Sequence, residues 1–124
     1  MIIGVGTDIC ENYRIQKIVN KYQHRLLTHI FTDEELAYCL KKKDPIPHLS
    51  ARFALKEAFI KALSLKKRVY LSFNQVGLKG NEGKKDLIIK GKLFQLYQQT
   101  GAKKTFFSIS HSKNNSIAYV ILEK

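Results

Sequence analysis

The sequence predicts an α+β fold: a single compact domain with a long central helix packed on a small, mainly antiparallel sheet. Three observations predict it. A short apolar strand opens the chain, helical patterns dominate its first half, and two β-rich runs close it as a hairpin. At 124 residues the chain suits one domain with a modest core, and residues 1–124 show no repeat, low-complexity tract or interdomain linker.

The elements follow in order. Ile2 to Thr7 reads as a glycine-rich strand with Asp8 at its end, and Glu11 to Lys21 as a helix with apolar residues at Ile15, Ile18 and Val19. A second short helical piece covers His24 to His29. In FTDEEL, Thr32 followed three residues later by Glu35 fits a capping box, and this helix should run to about Lys41. Both prolines fall in the predicted loop KKKDPIPH. The long helix begins near Ile46 to Leu49 and ends around Ser64. Leu71 to Leu78 and Asp86 to Lys90 read as strands joined by GNEGKK, and Leu93 to Gln99 as a helix closed by Gly101. TFFSISH and SIAYVILE, separated by SKNN, form the final hairpin.

Charge narrows the partners. Hydrophobic content of 44% and charged content of 26% exclude a disordered tail, but 22 Lys and Arg against 10 Asp and Glu give a net charge of +12. A field of that sign favours anionic partners: nucleic acid, an anionic membrane, phosphorylated ligands or an acidic protein. The start MIIGVGTDIC has no basic region and reaches Asp8 before a signal peptide's apolar core would be complete. No apolar run approaches the ~18 residues of a membrane span. Two distant cysteines, Cys10 and Cys39, read as reduced thiols. The expectation is a cytoplasmic protein.

The stretch RFALKEAFIKAL, residues 52–63, is unusual. At about 100° per residue, Ala51, Leu55, Ala58, Phe59 and Ala62 form one apolar stripe, and Phe53 and Ile60 a second patch nearly opposite. Glu57 and Lys61 project through one gap between them, Arg52 and Lys56 through the other. No broad wet face remains, so these charges should be partly buried and need partners. Glu57 and Lys61 could form an i,i+4 ion pair worth about 0.3–0.5 kcal/mol. Alternatively Glu57 holds a cation and Lys61 meets an anion beside it. Asp8 reads either as a cap for the turn after its strand or, with Glu57, as half of an oxygen pair for Mg²⁺. On a strand Ser110 and His111 face opposite ways, which argues against them as nucleophile and base. His111 is left as a surface residue or a phosphate contact, and Thr32 and Glu35 as a cap.

Three separated stretches resemble the holo-acyl carrier protein synthases, the short single-domain class of phosphopantetheinyl transferases. They are GVGTDI with Arg14-Ile15, FTDEEL with ARFALKEAFIKAL, and TFFSISHSKNNSIAYVILE, in the family's order across almost the whole chain. The resemblance implies transfer of 4′-phosphopantetheine from coenzyme A to a serine of an apo-acyl carrier protein, releasing adenosine 3′,5′-bisphosphate, in fatty acid biosynthesis. It implies Mg²⁺ on Asp8 and Glu57, with Lys61 neutralising phosphate charge and aiding the leaving group. Phe53, Lys61, Asn81 and His111 would contact coenzyme A. Arg14 and Arg52 would face an acidic acyl carrier protein. The family's short members form homotrimers with sites at subunit boundaries, which would explain a helix apolar on two sides.

There are departures. The family's GTG turn after the helix reads SLK here, followed by Lys67 and Arg68, which would substitute charge for close amide contacts. Lys85 stands where the family has proline after GNEGK. Two rival readings accompany the transferase: a carrier-protein-binding relative without catalysis, and a nucleic-acid-binding module suggested by lysine pairs. No nucleic-acid-binding signature is present, so the expected partners include neither nucleic acid nor membrane.

Overall fold

The computed structural model describes residues 1–22, 24–67, 69–81 and 83–124, with Asn81 described through its backbone alone. The elements are β1 (Ile2–Glu11), α1 (Asn12–Lys21), α2 (His24–Ile30), α3 (Asp33–Cys39) and α4 (Pro45–Ala62). A 3₁₀ turn (Phe73–Gln75) then precedes β2 (Val76–Asn81), β3 (Lys84–Ile89), α5 (Gly91–Gln99), β4 (Lys104–His111) and β5 (Asn115–Glu123). An antiparallel sheet of order β1-β5-β4 and a separate β2-β3 hairpin carry the strands. The predicted α+β architecture is present, with α4 as its long helix.

The sheet buries one face. Along β5, Ser116, Ala118, Val120 and Leu122 point inward while their neighbours stay exposed or half-buried, the period-2 pattern of a strand covered on one side. α4 covers that face. Ala51, Ala54, Leu55, Ala58, Phe59 and Ala62 are all buried, and the helix is enclosed round most of its circumference. β1 approaches α4 closely: a Cβ added at Gly4 would lie 2.0 Å from the Ala62 carbonyl oxygen, and one at Gly6 1.8 Å from that of Ala58. Only glycine permits this contact.

Three expected boundaries change. β1 continues to Glu11, which pairs with Asn115, so Asp8 lies inside the strand and does not cap its end. Pro45 and Pro47 begin α4: the first turn lacks intrahelical partners for its N–H groups, and the Asp44 carboxylate accepts the Ile46 N–H at 3.2 Å. The strand expected from Leu71 starts only at Val76. The Gln75 N–H turns back to the Ser72 carbonyl and Asn74 donates to the Thr28 carbonyl, which commits this segment to a turn. The Thr32–Glu35 capping box is present, each of its two bonds 3.1 Å long. Cys10 and Cys39 are free and buried, and burial pushes the Cys39 thiol up to about 11.

Candidate active site

The glycine contacts set a register between strand and helix. Two strand residues advance about 6.6–6.8 Å and four helix residues 6 Å, so antiparallel neighbours keep step. Gly4 meets Ala62, Gly6 meets Ala58, and the Ser50 hydroxyl reaches the Cys10 carbonyl at 3.4 Å. Asp8 shares the inward parity of Gly4, Gly6 and Cys10 and falls between them, half-buried. It therefore emerges at the flank of α4 that carries Glu57 and Lys61.

Lys61 reaches across to the strand. Its ammonium donates to Asp8 Oδ1 and to the Thr7 carbonyl, both at 3.1 Å, with the Lys61 side chain 54% and that of Asp8 20% exposed. The lysine bonds the strand, the alternative to a routine i,i+4 pair. The Glu57 carboxyl is held above its ordinary range, first by burial and then by the negative charge of Asp8, against the pull of Lys61 and Arg14. Asp8, Glu57 and Lys61 are thus brought together, with Arg14 on exposed α1 within electrostatic range.

A carboxylate whose proton affinity is raised by a second carboxylate beside it fits a divalent cation. No cluster of three or more His, Cys, Asp or Glu suited to a metal occurs among the described residues. A site with only two hard oxygen donors suits Mg²⁺, which keeps waters and takes substrate phosphates as its other ligands.

A second cluster gathers cations. Arg52 lies 4.4 Å, Lys42 4.6 Å and Lys85 6.0 Å from the Tyr38 ring centroid. The His48 ring meets Tyr38 at 6.0 Å and His111 at 5.1 Å. Burial, then His111, Arg52, Lys42 and Lys85, hold His48 below its ordinary value, so it is uncharged at neutral pH. The turn beyond His111 is fastened to α1: the Asn12 amide donates to the Ser112 and Lys113 carbonyls at 3.0 and 3.2 Å and accepts from Ser116 at 2.7 Å.

Arg52 corrects an expectation. It is 2% exposed, turned under Tyr38 on the inner side of α4, and donates to the His48 carbonyl at 3.2 Å, so it presents no docking surface. Its Nε has no hydrogen-bond partner and is buried. Phe53 is half-buried against the Phe73 ring at 5.6 Å. The Asn81 backbone ends β2 opposite Lys84, while its side chain lies outside the described residues, as does Arg68.

Sequence reasoning missed the partner of Lys56. This lysine is fully buried, as is Glu35, and its ammonium donates to Glu35 Oε1 and to the Val76 carbonyl. Glu35 is therefore more than a cap. The available signal was a lysine enclosed between apolar stripes with an acid in a neighbouring cap motif. Tyr38 and His48 carried no signal of their own.

A family model described as the 4′-phosphopantetheinyl transferase superfamily matches residues 4–120. The chain belongs to the 4′-phosphopantetheinyl transferase superfamily. Within it, the chain is 43% identical over 124 residues to a holo-[acyl-carrier-protein] synthase of Leptospira biflexa, spanning 99% of this chain and 98% of the relative. The crystal structure of holo-[acyl-carrier-protein] synthase from Neisseria meningitidis superposes with a TM-score of 0.86 at 32% identity, covering both chains fully. A synthase from Bacillus anthracis in complex with CoA (3′,5′-ADP) superposes at 0.76 with 30% identity, covering 98% of this chain and 96% of that one. For this superfamily member the match spans β1, α4 and the closing hairpin alike.

Proposed function

We propose that this chain transfers 4′-phosphopantetheine from coenzyme A to a serine of an apo-acyl carrier protein, releasing adenosine 3′,5′-bisphosphate, as a cytoplasmic step of fatty acid biosynthesis. Superfamily membership supports the reaction class. The observation that carries the site is Asp8 and Glu57 on adjoining β1 and α4, electrostatically coupled, with Lys61 bonded between strand and helix.

In the reaction a serine oxygen bonds the phosphorus nearer the pantetheine, the bridging P–O bond breaks, and the nucleotide leaves with the electron pair while the serine proton departs. Such transfer needs positioning and charge stabilisation more than covalent help. Asp8 and Glu57 would hold Mg²⁺, which supplies Lewis acidity at the pyrophosphate when bound. Lys61 is half-exposed on a flexible stem, so it can exchange Asp8 for a phosphate oxygen as negative charge builds on the leaving group. The Tyr38 cluster, with half-buried Lys42 and Lys85 at the ring and His111 beside His48, suits the donor's remaining phosphate, and Phe53 adds to the coenzyme A contacts. Exposed Arg14 steers the acidic carrier, a role the +12 charge reinforces.

The assembly is a homotrimer with sites at subunit boundaries. Val5, Ile9, Phe106, Ile117 and Tyr119 are exposed on the face of the sheet opposite α4, an apolar patch of the kind that a second copy covers.

Mass spectrometry of apo-carrier protein incubated with coenzyme A and Mg²⁺ tests the reading. The carrier should gain one phosphopantetheine with the wild type and none with Asp8→Ala or Glu57→Ala, both folded. A stable complex without mass gain would instead identify a binder, and full activity in either variant would dismiss the site.

A further inference from the structure

The buried pair formed by Glu35 and Lys56 takes no part in the chemistry above, yet both partners are also bonded to backbone of neighbouring elements. Glu35 accepts from Lys56, from the Thr32 N–H at 3.1 Å and from the Leu78 N–H at 3.3 Å, and Lys56 also donates to the Val76 carbonyl. One ion pair thus joins α3, α4 and β2. The fit is close, since a Cβ at Gly77 would lie 2.8 Å from Thr32 Cγ2 and 2.9 Å from Glu35 Cδ.

The cations around Tyr38 stand on or next to those elements: Arg52 on α4, Lys42 three residues past the end of α3, and Lys85 on β3, the partner strand of β2. Tyr38 lies three residues after Glu35 on α3, and Arg52 four residues before Lys56 on α4, so each stands one helical turn from the pair. Lys85 sits opposite Gly80, two residues beyond Leu78 on the hairpin. Lys42, Arg52 and Lys85 repel one another, and nothing in their mutual charge holds them within 4.4–6.0 Å of one ring. Stability alone does not call for an ion pair here, because apolar residues of similar volume are often as stable as a buried pair.

We propose that Glu35 and Lys56 are positioning residues for the donor substrate: their buried ion pair fixes α3, α4 and the β2–β3 hairpin relative to one another and so holds the cations around Tyr38 as a ready-made surface for a phosphate of coenzyme A. The proposal rests on coenzyme A being the donor. It places specificity in the geometry of the brace, because a cluster assembled in advance spares the ligand the cost of ordering it.

The Glu35→Gln/Lys56→Met double variant removes both charges while leaving an amide that can still cap α3. It should melt close to the wild type, yet bind coenzyme A about tenfold more weakly by calorimetric titration. Its KM for coenzyme A should rise in step while that for carrier protein stays within about twofold. A folded double variant with wild-type affinity for coenzyme A, or one whose two KM values rise together, would overturn the proposal. Should the double variant not fold, Glu35→Asp, which keeps both charges and shortens the brace by one methylene, carries the same expectation, with faster exchange of the Leu78 amide as its structural readout. A wild-type protein that does not bind coenzyme A would refute the functional reading itself; one that binds but whose variants bind equally well refutes only the brace.

Discussion

Glu57 is a residue whose charge is costly to keep. Burial and Asp8 raise its carboxyl above the usual value of 4.5. A group whose folded pKa is raised stabilises below its unfolded pKa and loses that contribution as pH rises through the folded value. Metal-free protein should therefore gain melting temperature at pH 7–8 on Glu57→Gln, and the gain should vanish as pH falls to about 4.5; thermal melts across that range check it. Lys61 offsets part of the same charge from the strand side. Lys61→Met should raise Mn²⁺ affinity about fivefold in calorimetric titration without coenzyme A, because a competing cation leaves Asp8, while turnover falls. Unchanged Mn²⁺ affinity would remove Lys61 from the ion's neighbourhood. Asp8, Glu57 and Lys61 were legible because charges interrupt a helix with no wet face and a strand with no other charged residue near its middle. Lys56 was not: its partner Glu35 is 21 residues away, already explained by a cap, and joined to it only by tertiary packing.

At the scale of elements, β1 and α4 make the site by touching. Gly6→Ala would set a methyl 1.8 Å from the Ala58 oxygen, and because that neighbour is backbone, strand or helix must shift. Overpacking of this kind costs about 1–3 kcal/mol or more. Gly6→Ala should lower the melting temperature and also weaken Mn²⁺ binding, since Asp8 is two residues along the displaced strand; a loss of stability with intact metal binding would separate the contact from the site. Helix α4 was legible from its composition, but its start was not, because the prolines that looked like loop are tolerated where a first turn has no hydrogen bonds to lose. The stretch from Leu71 had strand-like residues, and local bonds at Ser72, Asn74 and Gln75 turned it.

The whole molecule is a small, strongly basic domain with one covered and one uncovered sheet face. If identical copies cover the outer face and the sites lie at their boundaries, Ile117→Asp should shift light-scattering mass from three chains to one and reduce transfer. Transfer retained by a single-chain species would place the site within one subunit. The α+β order was legible from periodicity and the closing hairpin, whereas the cationic cluster was not, because α3, α4 and β3 meet only in the folded chain. Anomalous diffraction from a crystal soaked with Mn²⁺ and coenzyme A tests the shared metal site most directly. One manganese peak should lie about 2.0–2.3 Å from an oxygen of both Asp8 and Glu57, against the donor's pyrophosphate. A peak held by one carboxylate alone, or placed elsewhere with coenzyme A bound, would contradict it.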